Sequence, residues 1–170
     1  RYSAIENLSK KKNLNKNKKE KINLLAAIFD EQSVNILSFH RLAKFKYFNQ
    51  QKIIQALKKK FKLEKKLKFK NPCDPGSVMI YLNKTWYNVS LTSNKKLYTK
   101  YETDTDIVEK IMINSIIKKQ CNCSLVNLSN IPGKFDHKKL ANAVDKGVAN
   151  IGFFICPLPM KKIMSIADKG

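Results

Sequence analysis

The stretch that decides the fold is residues 78–91, VMIYLNKTWYNVSL, in which two apolar segments flank a polar pair. The segments are rich in β-branched and aromatic residues, which strands prefer. Asn83-Lys84 between them predicts a β-hairpin with a two-residue turn, and a longer loop is the alternative because such turns prefer Gly where Lys84 stands. The predicted register pairs Val78 with Val89, Ile80 with Tyr87 and Tyr81 with Trp86.

Outward from this hairpin, apolar periodicity and capping residues predict further strands and helices. The predicted strands are residues 22–29, 34–39, 124–128 and 149–155, and the predicted helices are residues 2–8, 50–63, 107–119, 137–146 and 159–169. Strands and helices are not strictly alternated, so the order predicts an α+β fold with a mixed or antiparallel sheet and about four to five helices.

The chain has 170 residues, of which 43% are hydrophobic, and this is enough for one domain with a real core. Residues 10–21 are almost purely Lys and Asn, which predicts a basic, flexible surface loop. Pro72, Pro75 and Gly76 mark residues 72–76 as a break between two sub-regions.

The net charge is +21, which is typical of a protein that binds a polyanion. Lys, Asn and Ile are all abundant, and A/T-rich codons supply all three without selection for nucleic acid. Residues 10–21 and 44–70 are nevertheless the segments that a non-enzymatic nucleic-acid-binding module would use. That alternative predicts binding that weakens steeply as salt is added.

Four cysteines are present, and only Cys121 and Cys123 are close in sequence. One residue between them is too few for a common zinc knuckle, so no metal site is predicted. Neither a signal peptide nor an apolar run long enough for a bilayer can be identified. Reduced thiols in a cytoplasmic protein are the expectation.

Only two of the 34 basic residues are arginines, Arg1 and Arg41. Arg grips phosphate or carboxylate at two points, and Lys does not. Arg41 follows His40 in an apolar run, and we treat the two as candidate catalytic residues, an acid or base beside a clamp. The structural alternative is a His satisfied by a backbone carbonyl and an Arg on a carboxylate such as Asp30 or Glu31.

Segments spread over most of the chain match, in order, the motifs of one bacterial family. Residues 1–4 (RYSA) match the end of its Gly-His/Asn-His-Arg-Tyr motif, and residues 35–42 (NILSFHRL) match its ILPxHRvv strand. Residues 79–82 with Trp86-Tyr87 match its MYL…kWY hairpin, and residues 106–111 (DIVEKI) match its DvxiLxexIl segment. Residues 143–147 (AVDKG) match its lVDxG segment, and residues 152–157 with 163–170 match its afxLxPtxxxxvmxvADxG segment. On these segments the chain resembles domain-of-unknown-function family 1015. Ser38 stands where that family usually has Pro.

Members of this family have a long region before the Gly-His-His motif and a Met-Pro-x-Lys-Ser-Thr stretch after the last Gly. The resemblance therefore implies a carboxyl-terminal portion or a truncated copy, with the missing amino-terminal region as a partner. The motif setting of Arg1 is similar to that of chromosome-partitioning CTPases, sulfiredoxins and archaeal free-serine kinases. By that analogy, the intact protein binds a nucleotide or phosphorylated metabolite, with Arg1 and Ser3 on the phosphate, and a small-molecule phosphotransferase is a further step. The alternative at this end is an inactive truncated fragment.

Overall fold

Six strands form one antiparallel sheet in the computed structural model, which describes residues 25, 27–30, 33–34, 36–72 and 74–168. The strands are β1 (Phe39–Lys46), β2 (Lys62–Lys66), β3 (Ser77–Leu82), β4 (Thr85–Ser90), β5 (Ser124–Pro132) and β6 (Ile151–Ile155). Their order across the sheet is β2-β4-β3-β6-β1-β5, and every neighbouring pair is antiparallel. The helices accompany this sheet, so the predicted α+β fold is confirmed.

The helices of the described residues are α1 (Gln50–Lys58), α2 (Lys95–Lys100), the short α3 (Asp104–Asp106), a π-helix (Ile107–Gln120), α4 (His137–Asp145) and α5 (Met160–Ala167). The helices α4 and α5 match the predicted helices 137–146 and 159–169 to within two residues at each end. None of the described helices combines the length and apolarity that crossing a membrane requires.

The chain divides into two units, residues 1–34 and residues 35–170. In the first unit, residues 25 and 27–30 form no strand and are exposed. The strand predicted over residues 22–29 is therefore wrong for its described part. An apolar run becomes a buried strand only where a neighbouring strand pairs with it, and none of the described residues pairs with this run. The predicted helix 2–8 and loop 10–21 lie outside the described residues.

The hairpin at residues 78–91 has the predicted register. Ile80 pairs with Tyr87, and Tyr81 pairs with Trp86. Asn83 and Lys84 form the two-residue turn, with φ of 45° and 55°. Positive φ at both positions is what matches the turn to the twist of the flanking strands.

The strand β1 begins where the predicted strand 34–39 ends, which is a correction of five residues. Leu42, Ala43 and Phe45 are buried, whereas Leu37 is about half exposed. The buried side chains of this segment therefore begin several residues later than the apolar run over residues 34–39 predicts. His40 and Arg41 consequently lie near the start of a strand and not at its end.

The helix predicted over residues 50–63 ends at Lys58, and β2 follows at Lys62. Lys59 and Lys60 form a turn, and Phe61 folds back into the core with 3% exposure. The strand β2 lies at the edge of the sheet and pairs only with β4 among the described strands. Its charged sequence, KLEKK, is typical of an edge strand that resists pairing with other chains.

The helix predicted over residues 107–119 is a π-helix over Ile107–Gln120. Its hydrogen bonds span five residues, as in the bond from the N–H of Cys121 to the carbonyl of Ile116 at 2.9 Å. Its apolar residues recur in groups, at 107–108, 111–113 and 116–117, and all of them are buried. The spacing between these groups is wider than the 3.6 residues of an α-helical turn, so the wider helix buries all three groups on one side.

The sheet has two different faces. The first face carries Ala43, Ile80 and Phe153 and packs against α1 and the π-helix in the larger core. The second face carries Leu42, Met79, Tyr81, Trp86 and Phe154, and the helix that packs on it is α4. Gly152 lies on this face where a Cβ would collide with Leu140 of α4, so its missing side chain lets the helix approach closely. The open part of the second face is where the candidate site lies.

Candidate functional site

Two of the four candidate residues from the sequence, Arg1 and Ser3, lie outside the described residues. Their assignment to a phosphate stays a prediction. His40 and Arg41 are described, and both lie on β1.

His40 is held inside the protein, with 2% of its surface exposed. Its Nδ1 accepts the N–H of Ile155 at 3.2 Å, so the neutral ring carries its proton on Nε2. That Nε2 is buried and has no hydrogen-bond partner among the described residues. The ring stacks on Phe154 with 3.7 Å between centroids. Burial and then the charge of Arg41 lower the pKa of His40 from 6.5 to about 4, so the ring is neutral at pH 7.

Arg41 is paired inside the chain with a carboxylate and a backbone carbonyl. Its Nε donates to Oε1 of Glu109 at 2.5 Å, and its Nη1 donates to the carbonyl of Phe39 at 2.7 Å. The Arg41 side chain is 12% exposed. The alternative of an Arg on a carboxylate describes this contact, although the partner is Glu109 of the π-helix and not Asp30 or Glu31.

The two neighbours on β1 point to opposite faces of the sheet, because successive side chains of a strand alternate. His40 stacks on Phe154 on the second face, and Arg41 reaches the π-helix on the first. The structure therefore does not bring them into one site. A catalytic role for either residue stays a prediction, and the two side chains would act on opposite faces of the sheet.

A polar cavity of about 350 Å³ opens on the second face, at the β2-β4-β3 side of the sheet. We call it the lysine pocket. Its lining combines two lysines with neutral polar side chains and one acid, and the residues are Lys66, Lys70, Asn71, Pro72, Asp74, Ser77, Met79 and Asn88.

The strands position part of this lining through their register. Lys66 pairs with Trp86, and Asn88 pairs with Met79, so all four side chains belong to the second face. The hydroxyl of Ser77 donates to Oδ1 of Asn88 at 2.7 Å, which leaves the Asn88 amide hydrogens to serve as donors. Lys66 contacts Glu64 at 2.9 Å, and this hydrogen bond is the main cause that lowers the pKa of the Glu64 carboxyl.

An aromatic cluster fixes the loop that carries Lys70. Phe69 lies edge-on to Trp86 with 4.8 Å between centroids and edge-on to Phe154 at 4.9 Å. On another side it stacks on His137 of α4 at 4.0 Å. Such pairs each contribute about 0.5–1.5 kcal/mol beyond their burial, so Phe69 anchors the loop on the sheet. The position of Lys70 at the pocket follows from this anchor.

His40 shares the face of the lysine pocket but does not line it. Met79 pairs with Phe154 on β6, and His40 stacks on that Phe154 from β1. Met79 on β3 and His40 on β1 are therefore two strands apart across the sheet, with about 4.8 Å between neighbouring strands. A ligand in the pocket would meet Met79 before it met His40.

In the described part of the chain, no group of three or more His, Cys, Asp or Glu side chains is placed to hold a metal ion. Cys121, Cys123 and Cys156 are buried and not in disulfides.

In the sequence, Lys66 and Lys70 belong to a general basic stretch, residues 44–70. The signal available in the sequence is that both lysines come shortly before the break marked by Pro72, Pro75 and Gly76. Nothing comparable in the sequence marks Asn88 or Ser77 as a pocket residue. Their role depends on strand pairing, which composition does not reveal.

No protein-family model, curated protein or solved structure matches the chain in the comparisons made with known proteins.

Proposed function

We propose that this chain binds a phosphorylated small molecule, of which nucleotides are the leading class, in the lysine pocket. The observation that carries the proposal is the convergence of Lys66 and Lys70 with the donor side chain of Asn88 on one cavity. Cationic and neutral donors around one concave site are what phosphate oxygens require. A volume of about 350 Å³ suits a small ligand and not a nucleic-acid backbone.

Asp74 makes the pocket more selective than a simple anion site. A carboxylate repels phosphate but accepts hydrogen bonds from hydroxyl or amino groups. The pocket therefore offers donors to one end of a ligand and an acceptor to another. This pairing favours a sugar phosphate or nucleotide over free phosphate.

The resemblance to domain-of-unknown-function family 1015 supports the same class of ligand. Membership of that family, and the role of the chain as a carboxyl-terminal portion, are part of this proposal. A small-molecule phosphotransferase activity is the further step. His40 is its candidate on the face of the lysine pocket, whereas Arg41 contacts Glu109 on the other face. The proposed setting is the cytoplasm, where buried thiols such as Cys121 and Cys123 stay reduced.

A thermal-shift experiment tests the proposal with AMP, ribose 5-phosphate, inorganic phosphate and heparin, each at about 0.05 M and about 0.3 M salt. We expect AMP or ribose 5-phosphate to raise the melting temperature at both salt concentrations. Lys70→Ala should remove this shift. Lys95→Ala is the matched control, because Lys95 is an exposed lysine of α2 that does not line the pocket.

Two outcomes would contradict the lysine pocket. A shift with heparin alone, lost at high salt and equal in both lysine variants, would leave net charge as the explanation. A shift with AMP that persists in Lys70→Ala but vanishes in Arg1→Ala would move the phosphate to the site predicted from the sequence.

A further inference from the structure

A second cavity of about 220 Å³ lies between the loop before β3, the segment after α2 and the start of α5. We call it the tyrosine pocket, and it shares no lining residue with the lysine pocket. Tyrosines, prolines and a leucine make most of its wall, and the full lining is Pro75, Tyr98, Tyr101, Glu102, Thr103, Asp104, Leu158, Pro159 and Lys162.

Asp104 is the buried acid of this pocket, with 4% of its surface exposed. Its Oδ2 accepts the N–H of Gly76 at 2.7 Å. Among the described ion pairs, Asp106 binds Lys110 and Glu109 binds Arg41, but Asp104 takes part in none. A buried carboxylate without a cation is costly to keep ionised, and burial raises the pKa of Asp104 accordingly.

None of the described lysines or arginines is ion-paired with Asp104, although the chain has 34 basic and only 13 acidic residues and Lys162 lines the same pocket. One backbone N–H satisfies part of the Asp104 carboxylate, and it brings no positive charge. A group that supplies both a positive charge and hydrogen-bond donors would complete the pairing.

The two tyrosines add a second attraction for a cation. The faces of aromatic rings carry partial negative charge and draw ammonium groups. Tyr101 already does so within the chain, since Nζ of Lys100 and of Lys110 lie 5.9 Å and 5.8 Å from its ring centroid. Tyr98 has the Asp104 carboxylate as a neighbour, and burial, followed by that charge, raises the pKa of its hydroxyl.

We propose that the tyrosine pocket binds the ammonium group of a small organic amine, with Asp104 as its counter-ion and the methylene groups against Pro75 and Leu158. The volume of about 220 Å³ limits the ligand to a short aliphatic amine or the amino end of a longer one. Among the described residues, Lys162 is the lysine that lines the pocket, and its charge opposes the ligand.

The test is an NMR titration of the whole chain with butane-1,4-diamine, followed at the ring resonances of Tyr98 and Tyr101. Butan-1-ol is the neutral control of similar length. We expect the diamine to shift both rings and the alcohol to leave them unchanged. Asp104→Asn keeps an oxygen for the N–H of Gly76 and should weaken diamine binding at least tenfold. Asp106→Asn, two residues further along and not among the lining residues, should bind as the parent chain does.

Lys162→Ala gives an independent arm should Asp104→Asn not fold. Removal of the opposing charge should tighten diamine binding severalfold. Equal shifts with the diamine and the alcohol would overturn the proposal. So would unchanged binding in Asp104→Asn, or weaker binding in Lys162→Ala.

Discussion

At the scale of single residues, position in the strand decides chemistry more than residue type does. His40 and Arg41 are adjacent, and the sequence suggested an acid–base group beside a clamp. Alternation along β1 sends one to Phe154 and the other to Glu109. The sequence predicted that these two residues matter, but the faces they occupy depend on where β1 begins.

The buried His40 predicts a specific dependence of stability on pH. Its pKa is about 4 in the folded chain and 6.5 as an ordinary His, so the unfolded chain takes up a proton first as the pH falls. The free energy of unfolding should therefore fall between pH 6.5 and pH 4, by up to about 3 kcal/mol from this group. Urea unfolding at a series of pH values measures it.

The control is His40→Asn, whose Oδ1 can accept the N–H of Ile155 but does not titrate. The variant loses the stack on Phe154 and starts from lower stability. Its decline between pH 6.5 and pH 4 should be shallower than that of the parent, since the carboxylates contribute equally to both. Parallel curves for the two chains would show that His40 does not titrate as the structure requires.

Close packing at Gly152 gives a second prediction for individual residues. A Cβ at this position would collide with the Leu140 side chain. Gly152→Ala should cost about 1–3 kcal/mol of stability, and Leu140→Ala about 2–5 kcal/mol. The double variant should cost less than the sum by about 0.5–3 kcal/mol, because the smaller side chain makes room for the new methyl group. Strict additivity in urea unfolding would contradict the contact.

At the scale of elements, local patterns predicted what local interactions determine. The hairpin, its register and the helix His137–Asp145 with its Asp136 cap all follow from neighbouring residues. The π-helix shows the limit of prediction from local patterns. Capping residues and apolar content predict a helix over residues 107–119 but not its π form, although its apolar groups recur more widely than α-helical turns do.

The hairpin turn predicts a stabilising substitution. Lys84 has a φ of 55°, a conformation that costs a side chain free energy and that Gly adopts freely. Lys84→Gly should stabilise the chain by about 0.5–1 kcal/mol, after the larger entropy of Gly in the unfolded state is included. Asn83→Gly is the matched control and should gain less, because Asn tolerates positive φ better than Lys does. A loss of stability in Lys84→Gly on thermal unfolding would contradict the turn geometry.

At the scale of the whole molecule, the order of the strands in the sheet could not be predicted from the sequence. The strand β1 pairs with β5 and β6, whose residues lie about a hundred positions later in the chain. Local patterns do not identify such partners, and they did not predict β2 at the edge. The lysine pocket depends on these long-range pairings, which explains why its lysines were seen only as part of a basic stretch.

The two faces of the sheet differ in how much of each is covered by helices. The π-helix and α1 cover the first face, whereas the second face keeps an open side where β2, β4 and β3 meet the Phe69 loop. A cavity on an open face beside a fixed aromatic cluster is well placed for a ligand. We propose that phosphate binds here and not along the lysines in general.

The most direct test is an NMR titration of the isotope-labelled chain with AMP at about 0.3 M salt, where general charge attraction is screened. If phosphate binds in the lysine pocket, we expect shifts at the side-chain amide of Asn88 and at the backbone amides of Ser77 and Lys70, and their loss in Lys70→Ala. Shifts spread over lysine-rich segments such as α1, with Asn88 and Ser77 unchanged, would contradict it.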